Sequence, residues 1–357
     1  MKLYGKIIGT GSFIPPVVVK NEDFMQNEFF ETYGKKLNKP NEEIIRKFYE
    51  ITGIKERRYV PDSLKNSDIA YIAAQKAIED AGIDPETIDL IIVGHNYGDL
   101  SAGDRHTDEV PSLASRVKHK LGIKNPWAVG FDLLYGCPGW IQSMITANLY
   151  LTSGQAKRAL VIGSETLSRI SDPHDRDAMI YADGAGAIVL DAVESEEPTG
   201  IISWLSRTDT QDEVNYLYNG KSFNPEYKGD NFFIKMYGRK VYEYALTAVP
   251  DLVKKTIDKA GISLKDIKKI LIHQANEKMD FAIGERLFKL YGEKNMPADI
   301  MPMTIGWLGN SSVGTIPTML DLILKGKLNG HKIETGDYVV FASVGAGMNI
   351  NAFVYKF

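Results

Sequence analysis

Cys137 is the only cysteine among 357 residues, and its setting is unlike that of an ordinary core thiol. An apolar run, Ala128 to Leu134, leads through Tyr135-Gly136 to the cysteine, and Pro138-Gly139-Trp140-Ile141-Gln142 then opens a helical pattern. A thiol at the end of a strand and the start of a helix faces unpaired backbone N–H groups and the positive end of the helix dipole. Both favour thiolate, the form that attacks carbonyl carbon. A free cysteine is also among the most buried residue types and packs as a small hydrophobe. The catalytic reading therefore depends on partners elsewhere in the chain.

The second half of the chain supplies such partners. The apolar segment Lys269-Ile270-Leu271-Ile272 ends in His273-Gln274-Ala275-Asn276, which puts His273 at a strand terminus, where functional side chains emerge in open sheets. Gly306 to Gly314 is a polar, glycine-punctuated loop containing Asn310, and it enters an apolar-patterned helix from Ile316 to Leu324. Ser343-Val344-Gly345-Ala346-Gly347-Met348-Asn349 is a small-residue turn between two strands whose backbone N–H groups suit an oxyanion. Each feature also has a plain structural explanation: a satisfied core histidine, a helix N-cap and a tight hairpin. Their combination with a lone cysteine points to catalysis.

The elements that must position these residues are repeated. At an offset of 179 residues, Ala77 to Ile83 and Ile88 to Val93 match Thr256 to Ile262 and Ile267 to Ile272, each pair reading as helix, glycine stop, loop and buried strand. In the same register Leu160 to Ser164 falls on Val339 to Ser343. The acidic, turn-prone stretch Val193 to Gly200 lies between the copies, so two halves are expected, residues 1–192 carrying the cysteine and 193–357 carrying the histidine and asparagine. Short continuous apolar strands imply a sheet covered on both faces. Two such halves packed through helices make a layered α/β pseudo-dimer, with Cys137 and Asn310 in equivalent loops.

Composition narrows the alternatives. A formal charge of −4 gives no basic field for nucleic acid. One cysteine excludes an intrachain disulfide and a cysteine-based zinc site, and no metal is expected. The N-terminus is too short and interrupted for a signal peptide, and no uncharged apolar stretch reaches the roughly 18 residues of a membrane span. A cytoplasmic location with no membrane insertion follows as the expectation. Gly9-Thr10-Gly11 lacks a third glycine and runs toward Pro15-Pro16, so it is not a dinucleotide fingerprint. The charged segment from Asp23 to Asn41 carries no legible role.

The chain resembles the beta-ketoacyl-acyl-carrier-protein synthase III family of the thiolase-like superfamily. The resemblance runs through Lys6 to Ser12, Thr52 to Arg58, the Cys137 segment, Asp183 to Ala187, His273 to Asn276, Gly309 to Ser312 and the C-terminal glycine turn. It implies a five-layer αβαβα thiolase-like fold of two pseudo-symmetric halves, a homodimer, and a catalytic triad of Cys137, His273 and Asn310. It also implies an oxyanion hole from the backbone N–H groups of Cys137 and Ala346, the latter standing where a glycine is usual. The implied reaction is a decarboxylating Claisen condensation of an acyl thioester with a malonyl-type thioester through acyl-Cys137. No bound cofactor is expected, the substrates being carried on coenzyme A or acyl carrier protein. A thiolase-type enzyme would need a second cysteine, and the elongating synthases a second histidine where Asn310 stands. Plant-type polyketide synthases share the triad, whereas Arg57-Arg58 and the His273 segment favour the initiating branch.

Departures from the family pattern bear on the substrate. The tryptophan and arginine that commonly hold coenzyme A fall near Lys47 or Phe48 and Ile51, while Arg176 matches a nucleotide-contact arginine. Its neighbours Asp172, His174 and Asp175 read as an exposed turn rather than metal ligands. Asn276, Lys278 and Gly345 are further expected substrate or carrier positions, with Arg286 and Lys289 extending a basic helix face. Val110 takes the place of an aromatic residue that reaches into the partner's acyl pocket, which predicts room for a chain longer than acetyl, and Asp108 and Glu109 lie beside it. The alternatives are a condensing enzyme joining two longer acyl units, as in dialkylresorcinol formation, and acyl transfer to an alcohol or amine.

Overall fold

The structure is a computed structural model that describes every residue of the chain except Tyr33. The first half contains β1 (Lys2–Phe13), β2 (Val17–Lys20), α1 (Asn41–Thr52), β3 (Glu56–Tyr59), α2 (Asn66–Ala81), β4 (Leu90–His95) and α3 (Leu113–Lys120). It continues with β5 (Val129–Leu134), α4 (Gly139–Thr152), β6 (Arg158–Thr166) and β7 (Asp183–Ser195). The second half contains β8 (Gly200–Thr208), β9 (Leu217–Gly220), β10 (Phe233–Met236), α5 (Gly238–Ala260), β11 (Ile267–Ile272) and α6 (Glu277–Leu290). After these come α7 (Ile305–Leu308), α8 (Thr315–Leu324), β12 (Tyr338–Gly345) and β13 (Asn349–Lys356).

Two sheets form the frame, one ordered β1-β7-β6-β4-β5 and the other β8-β13-β12-β11. The first four strands correspond in order and direction. β7 is antiparallel to β1 and β6, which is parallel to β4. Likewise β13 is antiparallel to β8 and β12, which is parallel to β11. The repeated helices α2 and α5 both end on a left-handed glycine, Gly82 (φ 63°) and Gly261 (φ 71°), a conformation glycine adopts without a Cβ clash.

Burial divides by strand parity, as the two-residue side-chain period requires. Ile91 and Val93 pack with Leu160 and Ile162 beneath α2 and α3. Leu90 and Ile92 point to the opposite face, where α4 and α8 form a central layer with Phe341 and Phe353 of the other sheet. The far face of that second sheet is closed by α5 and α6. The result is five layers, αβαβα. Phe341 and Phe353 stack at 4.6 Å between centroids, with Trp140 tilted against both. Burying each such ring contributes about 2–3 kcal/mol.

A fourth apolar cluster lies outside this frame. Phe24 and Phe29, from the charged segment that sequence left unassigned, pack with Ile44, Ile45 and Phe48 of α1 against Ile170, Met179 and Ile180. The hairpin of β9 and β10 brings Ile234 and Met236 to the same cluster. These two segments roof the ends of the sheets.

Candidate active site

Sheet ends from both halves open into one cavity of about 1130 Å³, lined by Cys137, His273, Asn310, Gly345 and Ala346 among others. Each side chain arrives on its own element. Cys137 lies between β5 and α4, just before the helix N-cap Pro138. His273 extends β11 by one residue, its N–H donating to the Ala342 carbonyl at 2.9 Å. Asn310 follows α7, and its backbone is stitched to the first half: its N–H donates to Ile180 O (3.0 Å) and its carbonyl accepts from Ala182 N–H (2.8 Å).

The Asn310 amide has a fixed orientation. Its Oδ1 accepts from the Ser312 backbone N–H at 2.8 Å, a role only the oxygen can fill, so the NH2 group is the free donor of a residue lining the cavity. His273 is buried, and burial pushes its imidazole down to about 4, opposed by a hydrogen bond with the Ser312 backbone. At neutral pH it is therefore an uncharged ring, a hydrogen-bond donor rather than a cation. Two glycines let the loops of the halves meet: a Cβ on Gly345 would lie 2.5 Å from Cys137 N, and one on Gly136 would lie 2.6 Å from Ala346 N.

The thiol itself differs from expectation. Burial pushes Cys137 up to about 11, with the neighbouring Glu165 charge acting in the same direction. Hydrogen bonds from the Ser312 side chain and from its own amide pull the other way without prevailing. At rest Cys137 is thus a thiol, because losing water costs a thiolate more than the helix start returns.

The remaining expected positions divide. Arg176 and Asn276 line the cavity, as do Lys47, Phe48 and Ile51, which stand where tryptophan and arginine were expected. Asn276 has a structural task as well, capping α6 by accepting from Met279 N–H at 3.1 Å. Lys278 is exposed and Val110 is 87% exposed; neither lines the cavity of its own chain. The Asp172–Arg176 stretch is not an exposed turn. Asp172 and Asp175 are buried around Lys235 of β10, at 2.5 and 3.3 Å, because the hairpin supplies a cation that sequence could not place beside them. No group of three or more metal-ligating side chains occurs among the described residues.

Sequence reasoning missed the walls. Phe30, Leu37 and Lys39 of the charged segment line the cavity, as do Ile234, Met236, Arg239 and Lys240. It also passed over Asn96, Glu165 and Ser312. Asn96 and Glu165 sit at the carboxyl ends of buried strands, the same signal that picked out His273.

A five-layer frame whose loops bring a cysteine, a histidine and an asparagine to one cavity defines the class of thiolase-like condensing enzymes, which are acyltransferases. Comparison with known proteins narrows it. Residues 131–210 match the family described as 3-Oxoacyl-[acyl-carrier-protein (ACP)] synthase III, and residues 257–357 match its C-terminal counterpart. The chain belongs to the 3-oxoacyl-[acyl-carrier-protein] synthase III family. It is 34% identical over 351 residues to beta-ketoacyl-[acyl-carrier-protein] synthase III of Staphylococcus epidermidis, covering 98% of each chain. Identity to the Koribacter versatilis enzyme of the same name is 32% over 354 residues, covering 97% of this chain and 96% of that one. The crystal structure of 3-oxoacyl-[acyl-carrier-protein] synthase III from Aquifex aeolicus superposes with a TM-score of 0.80 at 28% identity, covering 99% of this chain and 100% of the other.

Proposed function

We propose that this protein condenses an acyl primer with a malonyl-type thioester, using Cys137 as nucleophile and His273 and Asn310 as hydrogen-bond donors. The observation that carries the reading is that these three side chains, from loops of both halves, line one cavity. In the first half-reaction the Cys137 Sγ–acyl bond forms as the carrier's C–S bond breaks, and the thiol proton ends on the departing carrier thiol. In the second, the malonyl C–CO₂ bond breaks, CO₂ leaves, and the electron pair enters an enolate whose oxygen accepts from His273 and Asn310. The enolate carbon attacks the acyl-Cys137 carbonyl. The tetrahedral oxyanion is held by the Cys137 and Ala346 N–H groups, and its collapse releases the β-ketoacyl thioester and a Cys137 thiolate that takes one proton from solvent.

The cavity suits a long thioester arm. Phe30, Leu37, Phe48, Ile234 and Met236 give it apolar walls, and Lys39, Lys47, Arg176, Arg239 and Lys240 place cations along it for the phosphates of coenzyme A or of a carrier's prosthetic arm. No bound cofactor enters this chemistry. The edge strand β5 supports a homodimer: Val129 (55% exposed) and Leu134 (60%) project from an unpaired sheet edge near exposed Trp127 and Val110. No described helix is long and apolar enough to cross a membrane, which fits the cytoplasmic supply of such thioesters.

The test is intact-mass spectrometry with acyl thioesters of graded length, followed by CO₂ release on adding a malonyl carrier-protein thioester. Acylation is expected in wild type and Asn310→Ala and absent from Cys137→Ala, with CO₂ release lost in Asn310→Ala. A wild-type protein acylated by none of the thioesters overturns the reading.

A further inference from the structure

We propose that Asn96 and Glu165 are positioning residues that aim the Ser312 hydroxyl proton at the sulfur of Cys137, so that the thiolate formed and expelled during acyl transfer is held by a directed donor. This rests on the reading of Cys137 as the nucleophile.

The hydrogen bonds allow one direction only. Glu165, at the carboxyl end of β6, is fully buried, and its Oε2 accepts from both the backbone N–H (2.9 Å) and Nδ2 (2.7 Å) of Asn96, just beyond β4. An oxygen that already takes the Asn96 backbone N–H acts as an acceptor, and Asn96 turns its NH2 toward it. The same Nδ2 has a second proton, and Ser312 Oγ lies 3.2 Å away. With Asn96 donating to that oxygen, the hydroxyl's single proton is left for its other partner, the Cys137 side chain. Four residues therefore form a chain in which Asn96 donates both to Glu165 and to Ser312, and the Ser312 hydroxyl is turned toward sulfur. Charge-assisted bonds of this kind are about twice as strong as neutral ones once the acceptor becomes an anion.

Two costs mark the arrangement as more than packing. Ser312 holds φ at +52°, a conformation that non-glycine residues rarely adopt, and this sets its backbone N–H on Asn310 while the residue lines the same cavity as Cys137. Glu165 Oε1 is buried without a hydrogen-bond partner among the described residues, and burial raises the carboxyl to about 7. An under-satisfied carboxyl in a core calls for a function. The titratable groups facing this chain are His95, Tyr97, Tyr181, Cys137 and, against the Ser312 backbone, His273. His95 accepts from Gly98 N–H at Nδ1 (3.0 Å) and donates through Nε2 to Asp132 (2.9 Å), so both of its ring nitrogens are engaged elsewhere.

The variants are Ser312→Ala, Ser312→Thr and Asn96→Asp, the last of which turns a donor into an acceptor and draws the serine proton away from sulfur. Three readouts are taken with the full-length protein: single-turnover acylation by octanoyl-coenzyme A, CO₂ release from the malonyl thioester, and the pH midpoint of Cys137 alkylation by iodoacetamide. Ser312→Ala and Asn96→Asp are expected to slow acylation about 10- to 100-fold. They should also raise the alkylation midpoint by about one to two pH units and change CO₂ release less than threefold. Ser312→Thr should restore both acylation rate and midpoint. An unchanged midpoint in Ser312→Ala and Asn96→Asp overturns the proposal, as does equal slowing of both half-reactions, the mark of a merely structural role. Wild type failing to acylate would instead remove the reading of Cys137 on which this rests.

Discussion

The Cβ position of Gly345 lies 2.5 Å from the backbone nitrogen of Cys137 and 2.7 Å from Pro138 Cδ, so the C-terminal hairpin touches the nucleophile's loop where no methyl group fits. One is a backbone atom and the other belongs to a closed proline ring, so neither yields easily. Gly345→Ala is therefore expected to displace the Cys137 N–H from the oxyanion position and lower kcat by about 10²–10³-fold. The protein should still unfold in a single cooperative transition. Steady-state condensation rates beside a calorimetric melt provide the check, and near-wild-type kcat would remove the hairpin from the oxyanion hole.

Asn310 separates donor from acceptor in one residue. Its Oδ1 is occupied by the Ser312 N–H, so Asn310→Asp keeps that bond and replaces the NH2 donor by an acidic oxygen. Decarboxylation should fall about 10²–10³-fold while Cys137 still acylates, measured as CO₂ release and as adduct mass on one sample. Acylation and decarboxylation falling together would mean that Asn310 holds the loop and not the enolate.

The burial of His273 has a thermodynamic consequence. Its imidazole is held at about 4 in the folded protein, against 6.5 when exposed. Above pH 6.5 neither state binds the proton and the group adds no pH dependence. As pH falls from 6.5 toward 4, the unfolded chain takes up a proton that the folded chain refuses, and stability drops by about 1.4 kcal/mol per unit. His273→Gln should remove this slope. Between pH 7.5 and 5 its urea-derived stability should fall by about 2 kcal/mol less than that of wild type, and parallel losses would contradict the assignment.

Lys235 ties the β9–β10 hairpin to the cavity wall. It is buried at 3.4 Å from the centre of the Phe223 ring and pairs with Asp172 and Asp175. Lys235→Met strands two carboxylates and is expected to cost about 3–5 kcal/mol. Hydrogen exchange should locate the loss in the hairpin and the Asp172–Asp177 segment, with the two sheets still protected. Protection lost uniformly would show that the hairpin belongs to the cooperative core.

The frame and the candidate site residues were legible in the sequence for different reasons. The 179-residue repeat reflects burial: each copy must cover both faces of a sheet, so Leu90 to Val93 and Ile270 to Ile272 are apolar at successive positions. Cys137, His273 and Asn310 stood out by residue type at element ends, where backbone geometry exposes them. The cavity walls had no such signal. Lys39 and Phe30 lie in a charged segment whose apolar residues are scattered, and Lys235 is separated by some sixty positions from the aspartates it neutralises. Val110, expected near an acyl chain, is exposed and lies outside the cavity of its own chain.

Sequence by itself determined the repeated sheets, the family and the three side chains that line one cavity, because these depend on local periodicity and on residue types that stand out in combination. Tertiary structure alone decided the state of the thiol. The helix start argues for thiolate from sequence, but burial by residues from both halves outweighs it and raises Cys137 to about 11. That balance is set by how much water the assembled loops exclude, a quantity that exists only once distant segments have packed.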